Sequence, residues 1–495
     1  MVSALLPLFA LLLSVALLFL GNGLLGTLLP VRAQYESFTD VMIGSMGSLY
    51  FLGFGLGCVL GPFLIRRAGH IRTFAALAAV VASIPLLHTL FPTPWIWMTL
   101  RVIAGLCLAG LYTAIESWLN QGSSNETRGR VLSIYVMVNL AAVTAGQFLL
   151  NLDSPLNYRL FALITIVMAL SVVPVALTRT VAPTPPSSVN LRLLRLYRLS
   201  PVGIVGAFLI GAANGIFWSV APAYVSALGR DTATVANFMA LAVISGAVAQ
   251  WPLGRLSDII DRRWVMVIAC LGTTFGSIGL WLFGQFPLWL MIFGSVFGAM
   301  ALSLYALCIA HTNDHVESAD SVETSSSLLL TFAAGAVIGP FTGSYVMSLI
   351  GPGGLFLTAG TFTLILAAFA FYRMRMKAPV PADERENFVY VEPQTSAVVY
   401  ELDPRSEYSG DDEAGADEDS TSEGRDLDDP DLDGAADPDV AEETLADSAE
   451  KSTSDRPVET TEETDPSHDS GSERPESSKP EAESDQPEDD RNRKT

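Results

Sequence analysis

Long apolar segments separated by short polar breaks make up most of the first 373 residues. Each is close to the roughly 20 residues that an α-helix needs to cross about 30 Å of hydrocarbon. Backbone groups in lipid must be satisfied within the segment, and strand-like alternation is absent, so the pattern predicts helices rather than a barrel. Twelve are predicted, at residues 4–29, 42–64, 73–91, 95–119, 129–151, 158–178, 201–227, 233–253, 264–284, 287–310, 323–349 and 353–373.

The first apolar segment could be taken for a signal peptide. It lacks a basic start and a clear small-residue cleavage site, and it is long for such a segment. We therefore predict that it is the first spanning helix.

The charged residues indicate how the helices are oriented. The first 372 residues hold only 12 Asp/Glu and 16 Lys/Arg, too few to coat a soluble protein of this size. With the N-terminus inside, the cytoplasmic loops and the exit from the last helix hold fifteen Lys/Arg, whereas the opposite loops hold three: Arg32, Arg159 and Arg230. The positive-inside rule then predicts a multi-pass membrane protein with both termini in the cytoplasm.

The chain repeats itself at a nearly constant offset. Asn22 and Gly23 match Asn214 and Gly215 after 192 residues, and Leu111-Tyr112 matches Leu304-Tyr305 after 193. We therefore predict two pseudo-symmetric six-helix bundles, at residues 1–180 and 201–373, joined by a cytoplasmic linker at 181–200. Such a repeat is typical of transporters whose halves rock around a central site.

Residues 374–495 differ from the rest in composition. They hold 39 of the 51 acidic residues and are rich in Pro, Ser and Thr, which predicts a disordered acidic cytoplasmic tail. Residues 387–404 are an exception, because two apolar β-like runs make them a candidate for docking on the cytoplasmic face. The tail as a whole fits a solvation device, a partner tether or an inert extension.

Two short loops occupy matching places in the repeat. The loop after the eighth helix, GRLSDIIDRR, has Gly254, Asp258, Arg262 and Arg263. This resembles the loop signature of the major facilitator superfamily, a Gly followed by an Asp and a basic cluster. The matching loop after the second helix, GPFLIRRAGHIR, departs from it because Ile65 stands in place of the Asp. Arg101 and Gly105 resemble the R-x-x-x-G element of the same family, and IESWLN is similar to its YcaD-like bacterial branch.

The resemblance implies a cytoplasmic gate that opens when the bundles rock apart. A carboxylate and arginines at helix ends can form such a network, although positive residues there also serve as simple membrane anchors. Glu116, at the end of the fourth helix, needs a cation because a helix C-terminus disfavours an anion. Three interpretations stay open: an ionic lock, proton binding, or an interfacial charge. The candidate partners for a lock are Arg66, Arg67 and Arg130.

Arg101 is the deepest charge in the predicted helices. Ionisable groups inside membrane helices usually face the bundle interior and mark a pathway, although an arginine can also snorkel to the interface. The other candidates for substrate or coupling contacts are uncharged, and each could equally be packing: Asn22, Asn214, Tyr112, Tyr305 and Gln147.

Several functions are disfavoured. All four lysines follow the last helix, so no P-loop is present, and HTNDH (residues 311–315) has two histidines without a zinc signature. We predict no enzyme activity, cofactor, metal or nucleic-acid partner. The favoured function is a monomeric secondary transporter of a small organic solute, coupled to protons or another ion. The alternative is a non-transporting receptor or scaffold that signals through the acidic tail.

Overall fold

The computed structural model describes residues 2–123, 127–177, 193–316 and 321–376, together with Phe388, Thr395, Ser396, Val398 and Val399. Within these residues, twelve helices are long and apolar enough to cross a membrane. The twelve-helix prediction is confirmed. The spans are α1 (Phe9–Tyr35), α2 (Asp40–Ala68), α3 (His70–Leu90), α4 (Pro94–Gln121), α5 (Arg128–Leu152), α6 (Arg159–Leu177), α7 (Pro201–Ala227), α8 (Thr232–Ile259), α9 (Arg262–Phe283), α10 (Pro287–Asn313), α11 (Glu323–Ile350) and α12 (Gly354–Met376).

Beyond the spans, the described residues contain a short helix, Leu193–Leu199, before α7. The predicted disordered tail lies outside the described residues, apart from the five positions at 388–399. Most of the predicted 181–200 linker lies outside them as well. We refer to α1–α6 as the first half and to α7–α12 as the second half.

Polar side chains begin several of the spans. The Thr39 hydroxyl accepts a hydrogen bond from the Met42 amide at 3.3 Å at the start of α2. The Asp231 carboxylate accepts from the Thr234 amide at 3.0 Å at the start of α8. These caps satisfy amides that have no partner inside the helix, so the short polar breaks give sharp helix starts.

Two spans that the apolar pattern predicts as continuous are interrupted. The α6 span consists of Arg159–Leu170 and Val172–Leu177, and the α10 span consists of Pro287–Ala301 and Leu304–Asn313. A serine lies at each break. The Ser171 hydroxyl donates to the Met168 carbonyl at 2.6 Å, and the Ser303 hydroxyl donates to the Ala299 carbonyl at 3.0 Å. Such bonds compete with the helical ladder, which hydropathy alone does not reveal.

The helices differ in how deeply they lie in the bundle. In the most apolar stretch of each span, 78% of residues are buried in α7 and 72% in α4 and α10, against 33% in α6. The most deeply buried of the described spans are therefore α4, α7 and α10, and the most exposed is α6.

The sequence repeat is also a repeat of helix packing. A Cβ atom on Gly146 of α5 would collide with the Leu20 carbonyl of α1. A Cβ atom on Gly339 of α11 would collide with the Ala212 carbonyl of α7. These pairs are related by the offset of 192–193 residues, so the same close helix approach is built twice, once in each half.

One end of the bundle gathers the basic residues that the sequence places at the gate. His70 Nε2 lies 2.9 Å from the Ser117 hydroxyl, which ties the α2–α3 turn to the end of α4. Arg262 Nε lies 3.1 Å from Asp314 Oδ2, which ties the α8–α9 turn to the end of α10. We call this end the basic face; it carries Arg66, Arg67, Arg130, Arg262 and Arg263.

At the end opposite the basic face, the two halves pack directly on each other. The Ser48 hydroxyl of α2 accepts a hydrogen bond from the Phe341 amide of α11 at 3.1 Å. Gly47 leaves no room for a Cβ because Ser219 of α7 lies against it. The halves are therefore in close contact on that side of the membrane span.

Candidate functional site

A cavity lies between the two halves. Its lining comes from α1, α2, α4 and α5 of the first half and from α7 and α8 of the second. The structure thus brings together four of the residues predicted for substrate or coupling contacts: Asn22, Arg101, Tyr112 and Gln147. Tyr50 and Trp218 also line the cavity.

Arg101 provides positive charge in this lining. The side chain is only 9% exposed, and its guanidinium carbon lies 4.2 Å from the centre of the Tyr50 ring. Among the described residues, no carboxylate forms an ion pair with it. An arginine that snorkels to the interface would be exposed, whereas Arg101 is buried and lines the cavity; its role in substrate or coupling contacts stays a prediction. The guanidinium N–H donors are therefore open to an acceptor inside the cavity.

Amide and aromatic groups surround this charge. The Gln147 side chain is buried, and its Oε1 accepts no hydrogen bond from the described residues. The Tyr112 ring stacks on Phe19 with centroids 4.7 Å apart, and Trp218 brings a second-half ring to the same cavity. The cavity can therefore offer a charged donor, polar amides and apolar ring faces to one small solute.

Two of the predicted substrate residues lie elsewhere. Asn214 and Tyr305 are fully buried in the second half, and in the described part of the chain neither lines this cavity. The Tyr305 ring packs on Phe332 at 4.8 Å. Both amide atoms of Asn214 lack a hydrogen-bond partner within the same residues. A solute contact for these two side chains stays a prediction.

Glu116 is fully buried at the basic face. Its Oε1 accepts a hydrogen bond from the Tyr135 hydroxyl at 2.9 Å. Its Oε2 accepts from the Ser396 backbone amide at 2.8 Å and also from the Ser396 hydroxyl. The side chains predicted as lock partners, Arg66, Arg67 and Arg130, are exposed. Pairing of Glu116 with one of these arginines stays a prediction.

The second-half loop forms a chain of ion pairs. Arg262 is buried and lies between two carboxylates, at 3.1 Å from Asp314 and 3.8 Å from Asp258. Asp258 Oδ1 also accepts a hydrogen bond from the Phe388 amide at 2.9 Å. The Phe388 ring lies directly against Gly254, where a Cβ would collide with it. The loop residues predicted at the gate thus meet each other and the tail.

Asp261 and Arg263 form a second pair in the same loop. Arg263 Nη2 lies 2.7 Å from Asp261 Oδ2. Burial raises the pKa of Asp261, but hydrogen bonds from the Arg263 side chain and amide outweigh it and hold that pKa below its usual value. Asp261 is therefore a charged helix cap near pH 7 rather than a proton carrier.

Sequence reasoning missed several residues of these sites. Tyr50 and Tyr135 carry no signal in the apolar pattern. Asp314 lies in HTNDH, where the spacing of the two histidines suggests a metal motif and gives no sign of an ion pair. Among the described residues, no group of three or more His, Cys, Asp or Glu could hold a metal. Ser396 and Phe388 lie within residues 387–404, and the apolar runs of that segment are the feature of the sequence that indicates docking.

The sequence matches the family model of the Major Facilitator Superfamily over residues 11–202 and 203–410. It is 27% identical over 361 residues to the MFS-type transporter YcaD of Escherichia fergusonii, which covers 72% of this chain and 94% of that one. It is also 27% identical over 362 residues to YcaD of Salmonella heidelberg, with the same coverage.

Solved structures show the same fold. The nucleoside transporter NupG matches with a TM-score of 0.65 at 13% identity, over 75% of this chain and 99% of that chain. A bacterial homolog of the human lysosomal transporter Spinster, in an inward-facing and unoccupied conformation, matches with a TM-score of 0.63 at 15% identity, over 78% and 98%. Because the family match covers well over half of the sequence, this chain belongs to the Major Facilitator Superfamily of membrane transporters.

Proposed function

We propose that this protein is a secondary active transporter that moves a small organic anion across the bacterial inner membrane by alternating access. The observation that carries the proposal is the cavity between the halves, with Arg101 contributed by the first half and Trp218 by the second. A site built from both halves changes its exposure when the halves rock against each other. We propose that the transporter acts as a monomer.

The orientation proposed from the sequence places the basic face in the cytoplasm, together with both termini. It rests on the excess of Lys and Arg in the loops of that face. The close contact of α2 with α11 then lies on the periplasmic side, because it is formed at the opposite end. With this orientation the structure corresponds to an inward-facing state.

The negative charge of the solute follows from Arg101. A buried guanidinium without a carboxylate partner is costly, and a carboxylate or phosphate oxygen of the solute would supply the missing acceptors. The Arg101 guanidinium carbon lies 4.2 Å from the centre of the Tyr50 ring, a cation–π contact that favours the charge at this position. The ring faces of Tyr112 and Trp218 suit an apolar portion of the same solute. We therefore propose a small organic acid or phosphate ester.

Coupling to protons or another ion remains part of the proposal. No carboxylate lines the described cavity, so a coupling proton would bind elsewhere or travel on the solute. Glu116 is a buried carboxylate of the first half at the basic face, and it is the candidate for both a lock and a proton site.

The test is uptake of radiolabelled solutes into proteoliposomes that contain the purified full-length protein. Organic anions and neutral analogues of the same size are applied under an imposed pH gradient. We expect saturable uptake of one class of anion and no uptake of the neutral analogues. Collapse of accumulation by a protonophore would identify the proton as the coupling ion. A charged loop variant far from the cavity, Arg159→Gln, serves as the matched control.

If neutral solutes move as well as anions, the assignment of charge is wrong. If no solute moves in either direction while the tail captures a partner protein, the receptor interpretation replaces transport.

A further inference from the structure

The basic face holds part of the chain's own tail. We propose that this face carries a binding site for the segment 388–399, and that the docked segment blocks the solute path until it is released. The second part rests on the proposed transport function, whereas the docking itself does not. The five described tail positions and the helix residues they touch carry the argument.

The first contact is made with the first half. Ser396 donates two hydrogen bonds to the same oxygen of Glu116, one from its backbone amide and one from its hydroxyl. Ser396 is 1% exposed and Glu116 is fully buried. Hydrogen bonds to a charged acceptor are stronger than neutral ones, and a buried carboxylate left without them would be costly. The tail therefore satisfies a charge that the helices bury.

The second contact is made with the second half. The Phe388 amide donates to Asp258 at 2.9 Å, and the Phe388 ring rests on Gly254. Any side chain at position 254 would occupy the space of the ring. Gly254 and Asp258 are the two residues at the start of the gate signature, so the tail occupies the surface where a gate would otherwise close.

The tail is also buried just after the Ser396 contact. Val399 is fully buried within the hydrophobic core, and Val398 is 5% exposed. The Val399 amide donates to the Ser396 carbonyl at 3.3 Å, which makes a tight turn where the sequence suggests a β-like run. Buried apolar side chains favour the docked position independently of the hydrogen bonds.

The length of the chain permits this docking. The last span ends at Met376, and twelve residue steps separate it from Phe388. An extended chain of that length reaches about 40 Å, comparable with the thickness of a whole bilayer including its headgroups. Phe388 and Ser396 can therefore reach Asp258 and Glu116 in a chain that leaves the last span at Met376.

The docked segment bears on both directions of the proposed cycle. Its described residues contact Glu116 of the first half and Asp258 of the second, at the face where the halves must approach to close. A solute that leaves the cavity toward the basic face would have to pass between these two contacts. Release of the segment is therefore required for turnover, and the segment acts as an intramolecular inhibitor of the transporter.

Thiol accessibility tests the docking on the full-length chain in nanodiscs. The four native cysteines, Cys58, Cys107, Cys270 and Cys308, are replaced by alanine, and Val399→Cys is introduced as the reporter. We expect a membrane-impermeant maleimide to label this thiol slowly. Adding Ser396→Asp places a carboxylate against Glu116, and we expect labelling at least tenfold faster. Ser409→Asp adds the same charge further along the tail and should leave the rate unchanged.

A second measurement guards against a reporter protein that does not fold. A fluorescent peptide with the sequence of residues 384–405 is added to the otherwise native full-length chain, with and without Ser396→Asp. We expect the peptide to bind the Ser396→Asp chain, whose site is vacated, at least tenfold more tightly than the wild-type chain. Fast labelling of the reporter without Ser396→Asp, or equal peptide binding to both chains, would overturn the docking.

Flux measurements test inhibition by the segment separately from transport itself. If the segment inhibits, Ser396→Asp should raise the initial rate of solute flux at least threefold over both the wild type and Ser409→Asp. Unchanged flux combined with faster labelling would refute inhibition and leave docking intact. Absence of flux in every variant would refute transport, while the labelling and peptide results would still decide the docking.

Discussion

The two halves share a packing plan but differ in charge. Gly105 of α4 and Gly298 of α10 are related by the repeat. Gly105 packs against the Tyr50 carbonyl of α2, and Gly298 packs against the Ala242 carbonyl of α8. Four residues earlier, the first half has Arg101 and the second has Gly294. The Phe238 ring fills the space beside Gly294. The repeat therefore sets the distances between helices, whereas the chemistry of the cavity belongs mainly to one half.

The gate shows a related difference. In the second half the acid, Asp258, lies within the loop signature and faces Arg262. In the first half Ile65 occupies that place and is fully buried, and the acid at the basic face is Glu116 on α4. Both acids accept a hydrogen bond from a tail amide. The two acids proposed for the gate, both contacted by the tail, thus come from helices at different places in the repeat, α4 and α8.

The largest effect is expected from removing the charge of Arg101, whose matching position in the second half is Gly294. Arg101→Gln should reduce anion flux at least 100-fold, because a bidentate pair with a solute anion is worth roughly 3 kcal/mol or more. Its melting temperature should not fall, since the variant no longer buries an unpaired charge. Arg101→Lys should be intermediate, because lysine lacks the planar fork and stacks less well on Tyr50. Flux and thermal unfolding of the three proteins check this.

Full flux in Arg101→Gln would show that Arg101 makes no essential solute contact and serves as a membrane anchor. The functional difference between the two halves would then be unsupported.

The next effect concerns the two acids around Arg262. Asp314 and Arg262 are both buried, and removing one partner of such a pair typically costs about 3–5 kcal/mol. Asp258 is 34% exposed and lies farther from the guanidinium, so its loss should cost about 1 kcal/mol or less. We expect Asp314→Asn to lower the melting temperature much more than Asp258→Asn does. The two variants are matched in shape and charge, and equal destabilisation would contradict this ranking.

The comparison also shows which features the sequence reveals. Hydropathy reveals twelve spans because lipid imposes a length and an apolar composition on every one of them. It misses the breaks at Ser171 and Ser303, which depend on local hydrogen bonds. The repeat brings out Asn22 and Asn214 together, yet only Asn22 lines the cavity. Matched positions predict matched backbone, and the direction in which a side chain points depends on helix tilt and neighbouring side chains.

A smaller effect is expected at Glu116. Glu116→Gln keeps the shape but loses the charge. In a chain truncated before Phe388, which lacks the docked segment, the weakened lock should lower flux while the pH dependence of flux is kept. If Glu116 instead carries the coupling proton, accumulation would be lost and downhill exchange spared. We favour the lock, which predicts coupling of roughly 0.5–3 kcal/mol in double-mutant cycles with Arg66, Arg67 or Arg130. A parallel cycle with Tyr135→Phe provides the positive control, since those two side chains are hydrogen-bonded.

Strict additivity with all three arginines, together with lost accumulation and normal exchange, would establish the proton site. The lock would then be confined to the second half.

The smallest effect is expected from deleting residues 406–495. Asp258 is contacted by Phe388 and Glu116 by Ser396, and both contacts precede the deleted segment. The deleted segment contains few apolar residues that could be buried against the helices. Membrane insertion, melting temperature and solute flux should therefore stay within experimental error of the full-length chain. The Val399→Cys reporter should remain as slowly labelled after the deletion as before it. Loss of folded protein, or rapid labelling of the reporter, would show that the acidic segment helps to hold the tail against the two halves.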